Sequence, residues 1–197
     1  MESQFPHVSE PTKIRLYELG KDPKEWFKDV PPDSIETIIL YHGTTSLRFE
    51  SISDQGLKPR KETGISTYEL ENGGRAESQP DRIYLGSRYM AKRLACKESI
   101  YRHAYHEKVD FSKIKDGQVF VLLFEVEVDT DNLVPDEDSY QKTWHESLKT
   151  NRTCAYKGNI PKKRIRKIWK SQDPFEHDEL IYDATIEQKI YLTLPKI

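Results

Sequence analysis

The segment from Gln118 to Val128 constrains the fold of this chain most strongly. Its first half, Val119–Phe124, is apolar at every position, which is typical of a strand buried on both faces in the middle of a sheet. Its second half, Glu125–Val128, alternates between charged and apolar residues and predicts a strand with one face towards solvent. The chain is therefore expected to build a sheet around this segment.

Length and composition indicate a single domain. The 197 residues, with a net charge of −2 and 11% aromatic residues, favour one folded unit over a disordered chain. We expect one domain over residues 1–197, in which the proline-containing residues 1–12 form a loose arm.

The sequence also predicts a cellular location. No apolar run approaches the roughly 20 residues that span a bilayer, and Met1–Gln4 lacks the basic-then-apolar pattern of a secretory signal. We expect a cytoplasmic protein in which the two cysteines, Cys96 and Cys154, are buried thiols.

Other elements are predicted from apolar periodicity and helix-capping residues. Thr45 or Ser46 is expected to cap a helix that ends at Gly56, and Ser87 to cap a helix that carries Ala91, Leu94 and Ala95 on one face. The glycine-rich residues 61–81 predict a loop. Further strands are expected at 37–42, 82–85, 154–156, 164–169, 179–182 and 190–194, and further helices at 24–27 and 144–148.

A polar group follows the strand that ends near His42. Tyr41-His42-Gly43-Thr44-Thr45-Ser46 places an imidazole, a glycine and hydroxyls directly after the apolar run Ile38–Leu40. Glycine allows another molecule to approach the backbone, and imidazole and hydroxyl groups can hydrogen-bond to sugars and amides. Both a ligand site and an ordinary turn fit this pattern.

A basic segment runs from Lys157 to Lys170 without an acidic residue. Two interpretations are open: an edge strand protected by lysines, and a surface for an anionic substrate. The basic residues between its ends are Lys162, Lys163, Arg164, Arg166 and Lys167.

The order of these parts resembles the ADP-ribosyltransferase superfamily. The matching features are the strand ending in Tyr41–Thr45, the helix closing with Gln55–Leu57, and Arg82–Leu85 with its following alanine-bearing helix. The chain is similar, over roughly residues 37–170, to the diphtheria-toxin-like branch, which includes poly-ADP-ribose polymerases, DarT toxins and tRNA 2′-phosphotransferases. The resemblance implies an α+β fold, a split pair of mainly antiparallel sheets with flanking helices that hold NAD between them.

The resemblance also assigns roles to residues. It implies that His42 bonds a ribose hydroxyl of NAD, that the Gly43 backbone holds the nicotinamide amide, that Thr44 supports the ribose and that Tyr84 stacks on the nicotinamide ring. His42 and Tyr84 would thus be catalytic as well as NAD-binding. Two residues near the following helix, Ser87 and Arg93, could reach the amide or the phosphates.

One family residue is missing from its expected place. Most members carry a catalytic glutamate on a later strand, and the matching strand here, Asn151–Tyr156, has no carboxylate. Three replacements are open: Asp136-Glu137-Asp138, represented in the catalytic set by Asp138; Glu146; and Asp178-Glu179. Arg152 and Tyr156 are expected to contact the substrate.

These features favour an NAD-dependent ADP-ribosyltransferase that modifies a macromolecule. RNA is favoured over protein because of the basic segment and the possible base stacking of Tyr156, Trp169 and Tyr191. A toxin or phage-defence effector, with an antitoxin partner, fits the small size. The alternatives are RNA 2′-phosphate transfer to NAD and a non-catalytic module that binds NAD, ADP-ribose or RNA. His103 and His106 lack a third ligand, so no metal site is expected.

Overall fold

One sheet of eight strands organises the part of the chain that the structure describes. The computed structural model describes residues 13–15, 22–63, 79–95, 112–113, 116, 118–171 and 178–185. The strands are β1 (Lys13–Arg15), β2 (Thr37–Thr45), β3 (Arg82–Gly86), β4 (Val121–Asp129), β5 (Leu133–Pro135), β6 (Thr153–Lys157), β7 (Ile165–Ser171) and β8 (Glu179–Asp183); the α-helices are α1 (Phe49–Gln55), α2 (Arg60–Thr63), α3 (Arg88–Leu94) and α4 (Trp144–Asn151).

The sheet is mostly antiparallel. Its strands follow the order β5-β6-β3-β2-β4-β7-β8, and β1 pairs with β2 outside this path. Only the β1–β2 pair is parallel among the described strands. The expected α+β class with mainly antiparallel strands is confirmed. The described strands form one continuous sheet, so the expected split pair of sheets is not confirmed.

β4 is the central strand that the sequence predicts. It pairs with β2 along its whole length and with β7 on its other edge. Leu122, Leu123 and Phe124 are fully buried. The strand begins at Val121, later than the predicted Gln118.

The hydrophobic core lies on both faces of this strand. Phe124 belongs to the main cluster, which includes Ile52 of α1 and Leu148 of α4. Leu123 faces the opposite side, where it packs with Ala91 of α3. The sheet is therefore covered on one face by α1 and α4 and on the other by α3.

The predicted solvent exposure of the second half of β4 is wrong. Glu125 and Glu127 are only 2% and 7% exposed. Glu125 accepts a hydrogen bond from the Tyr41 hydroxyl at 2.9 Å, and Glu127 accepts hydrogen bonds from Lys13 and from Arg166. Cations and a phenol that come from distant parts of the sequence therefore replace the solvent that the alternation predicts.

The basic segment is not an edge strand. β7 lies between β4 and β8, so its lysines do not protect a free edge. Arg164 pairs with Asp129 at 2.9 Å and Lys167 with Asp183 at 3.1 Å. Part of the basic charge is thus neutralised within the protein. The exposed lysines of the turn before β7 are Lys162 and Lys163.

Most predicted elements within the described residues are confirmed. Strands occur at all five expected places, α4 contains the predicted helix, and Ser87 caps α3 by accepting a hydrogen bond from the Met90 amide at 3.3 Å. The predicted apolar face of α3 is wrong at Leu94, which is 48% exposed, whereas Ala91 and Ala95 are buried. The predicted cap of α1 is wrong, because a 3₁₀ turn, Ser46–Arg48, precedes that helix without a side-chain cap. The expected helix at 24–27 is a 3₁₀ turn, Pro23–Glu25.

Several predictions concern residues outside the described part of the chain. They are the arm at 1–12, most of the loop at 61–81, Cys96, the His103 and His106 pair, Tyr191 and the strand at 190–194. Cys154 is a buried free thiol, as expected, and burial raises its pKa. None of the described helices has the length and apolarity needed to cross a membrane.

Candidate active site

The candidate site lies where β2 and β3 separate. These strands share one registered pair, Tyr41 with Gly86. β4 occupies the other edge of β2, and β1 pairs with Thr37–Ile39 on the edge that faces β3. Among the described strands, none continues the ladder on this edge along residues 42–45. Within the part of the chain that the structure describes, this backbone therefore has no strand partner on that edge, and an unpaired strand edge can bind an extended or amide-bearing ligand.

His42 bridges the gap between the separating strands. Its Nδ1 lies 3.0 Å from the carbonyl oxygen of Tyr84, so Nδ1 carries the proton and donates. Burial lowers the pKa of His42, although the hydrogen bond to Tyr84 opposes this shift. The imidazole is therefore neutral at pH 7, and its Nε2 is a hydrogen-bond acceptor.

Tyr84 presents its phenol on the other side of the strands. Because side chains alternate along a strand and Tyr41 is paired with Gly86, the side chains of His42 and Tyr84 point to opposite faces. The imidazole contacts the backbone of Tyr84 and not its phenol oxygen. The two rings therefore do not share one face of the sheet, as a single NAD pocket of the kind that the resemblance implies would require.

Glu137 holds the polar end of Tyr84. The Tyr84 hydroxyl donates to Glu137 Oε2 at 2.6 Å and accepts a hydrogen bond from the Gln79 amide at 2.6 Å. Such a short O–H···O contact is typical of an ionised carboxylate acceptor. The other carboxylate oxygen, Oε1, accepts a hydrogen bond from Arg82.

The acidic cluster thus contributes Glu137 to the site, whereas sequence reasoning chose its neighbour Asp138. Asp138 is exposed, and its backbone amide donates to the side chain of Asp136 at 3.1 Å. Asp136 thereby caps the 3₁₀ turn Glu137–Ser139. Sequence reasoning found the cluster but had no signal for which carboxylate faces Tyr84.

The two other candidate carboxylates have structural partners. Glu146 is exposed and accepts a hydrogen bond from the Thr143 hydroxyl at 2.9 Å, at the beginning of α4. Asp178 forms ion pairs with Lys92 at 2.7 Å and Arg88 at 2.8 Å, and these bonds lower its pKa although burial opposes them. Asp178 therefore joins β8 to α3.

Gly43 and Thr44 have packing roles in the structure. A Cβ atom on Gly43 would lie 2.2 Å from the carbonyl oxygen of Ala91 and 2.5 Å from the Cβ of Ala95. The glycine therefore allows α3 to lie directly against β2. Thr44 is 7% exposed and is paired with Leu122 of the main core.

The remaining predicted residues lie at the ends of α3, β3 and β6. Ser87 caps α3, and Arg93 is exposed on the same helix. Arg152, in a left-handed conformation with φ 61°, ends α4, and its guanidinium lies 5.8 Å from the ring centroid of Tyr89. Tyr156 is buried in the main core, so its ring is not available for base stacking.

A concavity lies at the end of β2 away from the candidate site. It has a volume of about 490 Å³, and its charged lining residues are all acidic. Carboxylates repel a pyrophosphate, so this cavity is a poor site for NAD. The acidic residues are Asp33, Glu36, Asp129 and Asp131.

Metal-binding groups and known relatives give no further guidance. Within the described ranges, no three His, Cys, Asp or Glu side chains are placed to hold a metal ion. No protein-family model matches the chain, and no curated protein matches it. The functional argument therefore depends on the geometry of the junction between β2 and β3.

Proposed function

We propose that this chain is an NAD-dependent ADP-ribosyltransferase of the type that the sequence resembles. One observation supports this above all: the Tyr84 hydroxyl lies 2.6 Å from a Glu137 carboxylate oxygen, next to the hydrogen bond between His42 and the Tyr84 backbone. A histidine, a tyrosine and a glutamate are the residue types that the resemblance implies. Here the Glu137 carboxylate contacts the Tyr84 phenol, and His42 contacts the Tyr84 backbone from the neighbouring strand.

In the proposed reaction, the bond between the ribose C1 of NAD and nicotinamide breaks. Its electron pair leaves with the nicotinamide, which thereby loses the positive charge of its ring. A nucleophilic atom of the acceptor forms the new bond to C1 and releases its proton. Positive charge develops on the ribose in the transition state, so a fixed carboxylate nearby lowers the barrier.

Each residue has a defined task in this scheme. Neutral His42 accepts a hydrogen bond from a ribose hydroxyl through Nε2. The open strand edge at Gly43 binds the nicotinamide amide, and the Tyr84 ring stacks on the nicotinamide. Glu137 accepts a hydrogen bond from a second ribose hydroxyl and stabilises the developing charge.

The acceptor in this proposal is a macromolecule, and RNA is favoured over protein because of the basic segment. The structure weakens that preference, because Arg164, Arg166 and Lys167 pair with carboxylates. Trp169, which was expected to stack on bases, is 8% exposed and lies under Arg88. A toxin or phage-defence role with an antitoxin remains part of the proposal and awaits identification of the acceptor.

The test uses purified protein and NAD labelled in the adenylate half. RNA, DNA and protein fractions are separated after incubation, and free nicotinamide is measured. A parallel reaction contains RNA that carries a 2′-phosphate. We expect label in one macromolecular fraction, lost in Glu137→Gln. Intact NAD and unlabelled fractions in every reaction would rule out the proposal.

A binding module is the second candidate, because both oxygens of Glu137 already have partners in Arg82 and Tyr84. In that case the Glu137 carboxylate has a structural role, and the junction between β2 and β3 binds NAD without cleaving it. Calorimetry combined with nicotinamide detection separates the two: heat of binding without nicotinamide release supports the module, and release supports the enzyme.

A further inference from the structure

Arg82 and Tyr84 approach Glu137 together from one strand. They are two residues apart on β3, so their side chains project from the same face. Arg82 donates to Oε1 of Glu137 and Tyr84 donates to Oε2. Each carboxylate oxygen therefore has a different partner, and the carboxylate plane is fixed by two side chains.

The turn that carries Glu137 is held by other groups. Ser139 Oγ donates to the Asp136 carbonyl at 2.6 Å. The Asp136 amide donates to Ser147 Oγ at 3.0 Å, and the same hydroxyl donates to the Thr153 carbonyl at 2.7 Å. The backbone of the turn is thus anchored to α4 and β6 without any contribution from Arg82. Loss of Arg82 would release the carboxylate and leave the turn in place.

The guanidinium of Arg82 is well placed to hold the negatively charged carboxylate of Glu137 in one orientation. Its side chain is 21% exposed and that of Glu137 is 16% exposed, so solvent screens the pair only partly. Asp81 is more distant, with its carboxylate 3.8 Å from Arg82 Nε. Glu137 is therefore the main partner of Arg82.

We propose that Arg82 is a positioning residue, which holds Oε1 of Glu137 so that Oε2 faces the reacting ribose hydroxyl. This inference rests on the proposed function. In the structure the Tyr84 hydroxyl donates a hydrogen bond to Oε2. When NAD binds, the ribose hydroxyl shares or replaces that hydrogen bond, while Arg82 keeps the carboxylate from rotating.

The expected effect is on turnover and not on substrate binding. In the proposed scheme Arg82 contacts the Glu137 carboxylate but no atom of NAD itself. Arg82→Met should therefore lower kcat and leave the Kd for NAD unchanged. A misplaced catalytic group typically reduces the rate by about 10- to 100-fold. Arg82→Lys should give an intermediate kcat, because an ammonium keeps the charge but lacks the rigid fork of guanidinium.

The experiment measures nicotinamide release at varied NAD, and NAD affinity by calorimetry, in wild type and in both Arg82 variants. Lys142→Met is the control, because Lys142 is an exposed lysine that lies outside the basic segment. It removes a surface cation five positions after Glu137 in the sequence and should retain wild-type kcat. Circular dichroism checks that each variant is folded.

The outcomes separate this inference from the proposed function. A wild-type protein that never releases nicotinamide overturns both. An active wild type whose folded Arg82→Met variant has the same kcat, or loses NAD affinity instead, overturns only the role of Arg82. If the Met variant does not fold, Arg82→Lys decides: undiminished kcat contradicts the inference, and a several-fold loss at unchanged Kd supports it.

Discussion

At the scale of single residues, the candidate site depends on groups whose polar atoms are already engaged. The Tyr84 hydroxyl has bonds to Glu137 and to the Gln79 amide, and His42 is tied to the Tyr84 carbonyl. Such bonds fix the orientation of these side chains, which reduces the free-energy cost of ordering them when a ligand binds. The site is therefore preorganised.

Glu137 is expected to be the carboxylate required for turnover. Glu137→Gln keeps the side-chain size but removes the negative charge, so nicotinamide release should fall by about 100-fold or more, the usual effect of losing an electrostatic stabiliser. Asp138→Asn and Glu146→Gln serve as controls, because both of those carboxylates are exposed. Initial rates at saturating NAD provide the measurement. If Asp138→Asn is the inactive variant, the assignment of Glu137 is wrong.

His42 should make stability depend on pH near neutrality. Burial lowers its pKa in the folded protein, whereas an unfolded histidine titrates near pH 6.5 (about the value for model peptides). As the pH falls through that value, the unfolded chain binds a proton that the folded chain does not, so the free energy of unfolding decreases.

Urea denaturation between pH 7.5 and 5.5 tests this effect. The decrease should be smaller in His42→Gln than in wild type. His145→Gln is the matched comparison, because burial also lowers the pKa of His145, and it should retain the contribution of His42. Carboxylates titrate below this range. An unchanged pH dependence in His42→Gln would contradict the prediction.

At the scale of elements, α3 is the helix that connects the two halves of the sheet. It packs on β2 at Gly43 and follows β3 directly through Ser87. Its basic residues Arg88 and Lys92 reach Asp178 next to β8. This helix therefore packs against both strands that border the candidate site.

Gly43→Ala should destabilise the protein by more than an ordinary glycine replacement. The added methyl group would lie 2.2 Å from the backbone oxygen of Ala91, so α3 must move, at a cost of about 1–3 kcal/mol or more. Gly158→Ala is the comparison: it has a φ of 93° but nothing within 4 Å of its Cβ, and strain alone costs about 1–2 kcal/mol. Denaturant midpoints measure both; a smaller loss in Gly43→Ala would contradict the packing argument.

At the scale of the whole molecule, a layer of charges joins the beginning of the chain to its later strands. Glu127 on β4 contacts Lys13 from β1 and Arg166 from β7. Burial raises the pKa of Glu127, but the hydrogen bonds from Lys13 and Arg166 outweigh it and lower the pKa overall. Its contribution to stability is therefore present above about pH 4.3, the value for unfolded glutamate, and is lost as the pH falls through the folded pKa.

Glu127→Gln should be destabilising. The carboxylate is only 9% exposed, but its partners Lys13 and Arg166 are 44% and 34% exposed and can turn towards solvent, so the expected cost is about 1.5–3 kcal/mol, that of hydrogen bonds to a charged group. Glu25→Gln, which removes the exposed partner of Lys28, is the control and should leave the unfolding midpoint unchanged. Comparable midpoints for the two variants would show that the charge layer does not stabilise the fold.

The sequence predicts the elements well because their signals are local. The apolar run of β4, the serine cap of α3 and the glycine after α1 each act within a few residues. Burial of Glu125 and Glu127 is not local. It depends on Tyr41 for Glu125 and on Lys13 and Arg166 for Glu127. These partners lie far away in the sequence, so alternation alone assigns the two carboxylates to solvent.

In the candidate site, too, the sequence indicates the region that supplies a carboxylate but not the individual residue. His42 and Tyr84 follow from the order of motifs, and the acidic cluster was the first choice for the carboxylate. The choice within it depends on the 3₁₀ turn, which turns Glu137 towards Tyr84 and leaves Asp138 exposed. A difference of one position in a turn changes the direction of a side chain completely, and three adjacent acids carry no pattern that specifies it.

The parallel pairing of β1 with β2 has a practical consequence for the preparation of shortened proteins. β1 (Lys13–Arg15) directly follows residues 1–12, which the sequence predicts to be a loose arm and which are therefore a natural target for truncation. A shortened protein that starts at Asp22 would lack Lys13, whose ammonium contacts Glu127. It would also lack Arg15, whose guanidinium lies 3.9 Å from Glu125. Expression designs for crystallisation should therefore begin upstream of Lys13.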